Sequence, residues 1–383
     1  MPEVTTTPEL TVLDDLDEMY VADVSGTPDV LSRIKTANAR KSFGAKVLQA
    51  SRFATLQDAF TAFADADESV LEFDSDAVYE VTEEVTAEID VGVQRVIRGN
   101  GAKININVPG SPYLGVNFGT SGKLTVDGFD VEQTGANAYA FTVGAGGAVR
   151  FQNNRFTACF QALRVGGGGP ASPVFIVDNE FYGGTYGLYN YSEYVVCDRN
   201  FFNAVPTGII ALSPAGGNFR ITNNTICFCS IGIKIESETK VVGIRNNTIN
   251  HNLEAGIYVD GSIAGVQISN NEIEGQGGAN LGASPKDSSF GIYLKDCTGF
   301  HIVANTIGVN VANVALENCD HGKVNNNDFI ALDAVTIYQI KEVGAASSGY
   351  MMLGNTFKDN AVHTTVLATD CPNADITGVN IIV

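Results

Sequence analysis

The chain has 383 residues, 44% of them hydrophobic and 17% charged, with 41 glycines and a net charge of −20. That acidic balance argues against nucleic-acid binding, which selects basic surfaces, and against anionic lipid; no apolar run approaches the length of a membrane span. Seven cysteines without any Cys-x-x-Cys spacing argue against a disulfide framework or a zinc site and fit buried free thiols. His251, His301, His321 and His363 lack ligand spacing, so no metal and no cofactor is expected.

In chain order, residues 1–45 come first. The opening "MPEVTTTPELTVLDDLDEMY" lacks the basic and apolar regions of a signal peptide, which implies synthesis in a cytoplasm without secretory export. The segment continues "LDDLDEMYVADVSGT" and "SRIKTANARKSF". An acidic run with apolar residues between Asp17 and Asp23 leads to a turn at Gly26, then a basic residue, Ile34 and Asn38. This arrangement resembles the short N-terminal modules of tailed-bacteriophage fibres and spikes. The resemblance implies that residues 1–45 attach the protein to a phage head, neck or tail protein, and that the mature protein sits on a virion.

Residues 46–75 are expected to form a capping helix and a first strand. Leu56, Ala59, Phe60 and Phe63 fall at i, i+3, i+4 and i+7, the stripe of an amphipathic helix.

Residues 76–383 carry a repeat. "NNRF", "DNEF", "RNFF", "NNTI" (twice), "NNEI", "ANTI", "NNDF" and "GNTF" place an asparagine at 154, 179, 200, 224, 247, 271, 305, 327 and 355. Most steps are 21–28 residues, and one of 34 holds the loop-like insertion "GQGGANLGASPKDSS". Gly-led alternating segments keep the same beat: "GLYNYS", "GIIALS", "GIKIES", "GIYVDG" and "GIYLKD", with the degenerate copies "VALENC" and "VTIYQI". Short strands at this period, without a leucine-repeat pattern or a blade-length unit, fit a right-handed parallel β-helix of roughly a dozen coils. The asparagine would turn the corner in αL and bond its amide to the asparagines of neighbouring coils. The Phe or Ile two places on would enter the core.

From residue 50 onward, helix then strands then repeat, the chain also resembles phage tailspikes and pectin-degrading β-helix enzymes. That resemblance implies a helix capping the first coil and, for spikes, a homotrimer. The expected fold is a single all-β right-handed parallel β-helix with an N-terminal capping helix.

Strand alternation then selects outward residues. Lys234 and Glu236, Tyr258 and Asp260, Tyr293 and Lys295, and Tyr189 and Tyr191 face outward in two columns. Ala315 and Glu317, then Thr336 and Tyr338, follow in the degenerate copies. Glu236 and Asp260 would lie one coil apart, about 5 Å, near the spacing of a retaining glycosidase pair; Glu317 is the third candidate carboxylate. Tyr189, Tyr191, Tyr258 and Tyr293 would stack on sugar rings, with Lys234 and Lys295 beside them. The same columns also fit a trimer interface rich in aromatics, or a solvated face of surface ion pairs.

The expected function is therefore a phage tailspike or fibre that recognises a host surface glycan. If it is also an enzyme, it is a glycoside hydrolase or lyase. The alternative is a non-enzymatic virion protein: a head fibre, capsid decoration or neck appendage. The chain ends on "ADITGVNIIV", still within the strand pattern, which favours a plain fibre or decoration over a depolymerase.

Overall fold

In the computed structural model the described residues are 18–22, 31–35, 47–65, 69–89, 94–108, 114–120, 122–133, 139–144, 146–166, 173–212, 218–236, 241–275, 289–330, 338–358, 374–375 and 381–382. They form a right-handed parallel β-solenoid. Each turn contributes one strand to each of three long sheets. Sheet I has fourteen strands from Val47–Gln49 to Ala374–Asp375, sheet II thirteen from Val78–Val81 to Ile381–Ile382, and sheet III eleven from Val85–Ile89 to Tyr338–Glu342. Pairing within these sheets is parallel throughout, and like residues stack on like. Ile221, Ile244, Ile268, Ile302 and Val324, for example, are successive partners in sheet I. Each such burial contributes about 1.5–3 kcal/mol.

Sheet I turns into sheet II at the repeated asparagine. Asn154, Asn179, Asn200, Asn224, Asn247, Asn271, Asn305, Asn327 and Asn355 are all buried. Their amides form one column. Asn224 Nδ2 and backbone N both donate to Asn247 Oδ1, at 3.0 and 2.9 Å, and Asn247 repeats the pattern onto Asn271. Each Nδ2 also donates back to a sheet I carbonyl, as Asn247 does to Ile221 at 3.0 Å. The left-handed corner is not at these residues, as expected from the sequence, but one position earlier. Asn153, Asp178, Arg199, Asn223, Asn246, Asn270, Ala304 and Asn326 carry φ of 53–58°. The division is physical: the αL residue needs only to tolerate positive φ, whereas the next position must supply an amide.

The residue two after each ladder asparagine enters the core. Phe156, Phe181 and Phe202 stack with ring centroids 5.1 and 4.5 Å apart, and Ile226, Ile249, Ile273 and Ile307 continue the file. All six cysteines among the described residues are free and buried; Cys371 lies outside them. Burial pushes the Cys159 thiol up to about 12 and Cys229 likewise, so these thiols are packing groups.

The helix Leu56–Asp65 closes the N-terminal end. Thr55 Oγ1 accepts the Asp58 N–H at 3.1 Å, a helix N-cap. Leu56, Ala59, Phe60 and Phe63 are buried, with Phe60 against Phe73 and Phe118. The Gln57 side chain bonds both the N–H and the C=O of Thr86, at 2.9 and 3.0 Å. Thr86 lies on the edge strand of sheet III, so one side chain stands in for the missing neighbour. The first strand of sheet I, Val47–Gln49, precedes the helix.

Residues Glu18–Ala22 and Leu31–Lys35 make a separate antiparallel pair in which Met19 faces Ile34. Asp17, Asp23, Gly26 and Asn38 of the attachment motif lie outside the described residues. No helix among the described residues is long and apolar enough to cross a membrane.

Candidate functional site

The outer face of sheet III collects the outward residues. Its geometry follows from the Gly near the start of most of its strands. A Cβ on Gly232 would meet Gly256 O at 2.7 Å, so coils stack too closely there for any side chain. The residues around this glycine then divide between core and surface. In the strand Tyr186–Asn190, Leu188 and Asn190 are buried, whereas Tyr186 and Tyr189 remain part-exposed.

Three outward columns result. The first runs Tyr139, Gln161, Tyr186, Thr207, Ile231, Ala255, Phe290, Ala312, Tyr338. The second runs Thr142, Arg164, Tyr189, Ile210, Lys234, Tyr258, Tyr293, Ala315, Lys341 along the same pairs. In the third, Glu236, Asp260, Lys295 and Glu317 are successive partners. The columns match the sequence expectation except at the last copy. Tyr338 pairs with Ala312 and belongs to the first column, and Lys341 takes the place expected for Thr336, which lies outside the described residues. The segment "VTIYQI" has no leading glycine, and the strand starts later than its alternation suggests.

Two patches emerge. In the C-terminal one, Tyr258 and Tyr293 lie 5.1 Å apart and Phe290 stacks on Tyr293 at 5.0 Å. Tyr258 Oη donates to Asp260 Oδ2 at 3.1 Å, and Tyr293 Oη donates to Glu317. Lys234 Nζ is 2.5 Å from Glu236 Oε1, and Lys295 Nζ is 3.8 Å from Glu317 Oε1. Burial, with the Asp260 carboxylate beside it, pushes Tyr258 up to about 12. Burial and the bond to Glu317 push Tyr293 up as well.

In the N-terminal patch, Tyr189 and Tyr191 share a 2.7 Å hydroxyl contact. Tyr186 meets Tyr189 at 5.2 Å and Phe160 at 6.2 Å. The Arg164 guanidinium lies over Tyr139 at 4.6 Å and over Tyr191 at 5.7 Å. Burial, then the hydroxyl contact with Tyr191, pushes the Tyr189 phenol up.

Sheet III thus brings Lys234, Glu236, Tyr258, Asp260, Tyr293, Lys295 and Glu317 into one patch and Tyr189 and Tyr191 into another. Sequence reasoning missed Tyr139, Arg164, Tyr186 and Phe290. Arg164 is in "QALRVG", where Ala162 replaces the leading glycine, so that strand escapes a search for Gly-Ile. A cleft of about 490 Å³, lined by Arg98, Asp127, Asp130 and Arg155 among others, lies at the corner between sheets I and II. There Asn153 donates to Asp127 at 2.9 Å and Arg155 lies over Tyr182.

Comparison with known proteins agrees on the architecture. The right-handed beta helix region family matches residues 207–381, and the periplasmic copper-binding protein (NosD) family matches residues 93–276. No curated protein sequence matches the chain. The A-module of the Azotobacter vinelandii mannuronan C-5 epimerase AlgE4 superposes with a TM-score of 0.68 at 12% identity, covering 86% of this chain and 100% of that one. The Dettilon tailspike protein gives 0.55 at 14%, covering 89% and 69%. The catalytic domain of a GH87 alpha-1,3-glucanase gives 0.53 at 14%, covering 94% and 70%. At these identities the likeness is one of fold.

Cys159, Cys197, Cys227 and Cys229 are buried. Among the described residues no three His, Cys, Asp or Glu side chains converge on a point that would hold a metal ion.

Proposed function

We propose that this solenoid recognises a polysaccharide along the outer face of sheet III, and does so as an appendage of a bacteriophage particle. One observation carries the reading: tyrosines, cations and carboxylates run along a single flat face whose rungs repeat every ~4.8 Å. Rings of this kind offer an apolar surface with a polar edge, which suits a pyranose, and a polymer can be followed from rung to rung. A tailspike and two carbohydrate-acting modules share the fold, and the 1–45 segment resembles phage attachment modules. A homotrimer with virion attachment through Asp17, Asp23, Gly26, Ile34 and Asn38 completes the proposal.

Glycan cleavage is a second reading, supported by the register that sets Glu236 directly opposite Asp260. Two carboxylates on adjacent rungs have the layout of an acid beside a nucleophile. The test is incubation of the protein with capsule or lipopolysaccharide from susceptible hosts, reading bound glycan and released reducing ends. Binding is expected. Release that disappears in Glu236→Gln, Asp260→Asn or Glu317→Gln would assign cleavage. Release that survives all three variants would exclude these carboxylates, and absence of binding to every host glycan would sink the main proposal.

A further inference from the structure

Buried polar atoms without a partner are rare in a folded protein, because each costs about 1–3 kcal/mol. Three of those among the described residues lie together: Thr142 Oγ1, Gln161 Oε1 and Arg164 Nε. Strand pairing explains the cluster. Tyr139 pairs with Gln161 and Thr142 with Arg164; on the next rung Gln161 faces Tyr186 and Arg164 faces Tyr189. Thr142 is 7% exposed and Gln161 5% exposed, although both occupy outward columns. In register Gln161 stands between Tyr139 and Tyr186, and Thr142 stands beside Arg164, next to the tyrosines of this patch.

Arg164 is the centre of this arrangement. Its guanidinium is flanked by Tyr139 and Tyr191. No carboxylate among the described residues pairs with it, in a chain of net charge −20. Two rings hold the plane of the guanidinium, so the fork is oriented before any ligand arrives. A planar fork with free N–H groups matches a carboxylate or a sulfate. The orphaned Gln161 oxygen is an acceptor, and the Thr142 hydroxyl both donates and accepts; each complements a sugar hydroxyl.

We propose that Tyr139, Thr142, Gln161, Arg164, Tyr189 and Tyr191 form a subsite for an acidic sugar residue. The guanidinium takes its carboxylate or sulfate, Gln161 and Thr142 take hydroxyls, and the tyrosines flank the ring. The proposal rests on the reading of sheet III as a glycan-binding face, and adds to it the charge of the substrate and the place where that charge is read.

The experiment uses the full chain and three probes: polygalacturonate, dextran sulfate and neutral dextran, with binding measured by calorimetry. Host glycan is run alongside, and a melting curve is taken for each variant. Preference for polygalacturonate assigns a carboxylate, and preference for dextran sulfate assigns a sulfate. In either case Arg164→Gln should weaken binding of the anionic polymer about tenfold to a hundredfold. Arg164→Lys should recover only part, because it keeps the charge but loses the fork. Gln161→Ala, which leaves the arginine in place, should weaken it less. If anionic polymers bind equally to wild type, Arg164→Gln and Gln161→Ala, the subsite is wrong while the glycan-binding face stands. The subsite is equally wrong if host glycan or dextran binds and neither anionic probe does. If nothing binds, host glycan included, the reading of the whole face falls with it.

Discussion

Sheet III carries two tyrosine-rich patches, separated by the strand Thr207–Ala211. Both are built from the same columns, yet they treat their polar atoms differently. In the C-terminal patch Tyr258 bonds Asp260, Tyr293 bonds Glu317, and Lys234 and Lys295 are paired with carboxylates. In the N-terminal patch Tyr189 and Tyr191 satisfy each other, while Arg164, Gln161 and Thr142 retain atoms with no partner. A group already bonded must give up one partner to take another, so ligand binding there is nearly an exchange. A buried group with no partner gains the whole bond. The difference separates a patch that orders its own surface from one left ready for a ligand.

The asparagine ladder is the limiting case of a closed polar column, and altering it should give the largest effect. Asn247→Ala removes an acceptor used twice by Asn224 and a donor used by Ile221 and Asn271. Orphaned neighbours and a small cavity together should destabilise the solenoid by about 3–5 kcal/mol, read as a shift in urea midpoint. A loss below about 1 kcal/mol would mean that closure does not measure structural importance, and would undo the contrast between the patches.

A middle-sized effect tests the patches against each other. Glu317→Leu strips the Tyr293 hydroxyl and Lys295 of their acceptor, with an expected loss of about 1–3 kcal/mol. Arg164→Gln forfeits only ring stacking, about 0.5–1 kcal/mol. Denaturation curves of the two variants should therefore rank in that order. The reverse ranking would make Arg164 a structural residue and Glu317 the more available one.

Much of this was legible in the sequence, and the parts that were not have physical reasons. The coil period, the core file at Phe156 to Ile307 and the Asn column are repeats, and a repeat announces itself. Which asparagine of "NNTI" takes αL was harder, since Asn suits both positions. The deciding signal was present in "RNFF", "ANTI" and "GNTF": the first place varies while the second is always Asn. Arg199 illustrates the tolerance. It holds φ 54° while its guanidinium bonds both oxygens of Asp178 at 2.8 Å. The open patch was harder still. Alternation marks Arg164 as outward once its register is known, but which polar atoms lack partners depends on packing between coils. The Tyr338 register failed for a related reason: one degenerate copy without its glycine carries no marker of where the strand begins.

The smallest effect concerns Tyr258, and it probes whether the C-terminal patch is closed. The phenol is half-buried and donates to Asp260 Oδ2. Burial and that carboxylate raise it to about 12, against about 10 in an unfolded chain. The folded state therefore favours the protonated phenol. Its contribution to stability is fully present below pH of about 10 and is lost as pH rises towards about 12. Because the ring is partly solvated, the contribution is small and is best read as a difference. Phenolate absorbance of wild type minus Tyr258→Phe should show one tyrosine titrating near the top of that window, and the Tyr258→Phe variant should lose less stability across it. Tyr293 is raised by the same two causes, burial and a carboxylate partner. A Tyr258 phenol titrating at the ordinary value of about 10 would mean that its hydroxyl is exchanging with water instead of serving Asp260. The C-terminal patch would then be as open to a ligand as the patch around Arg164.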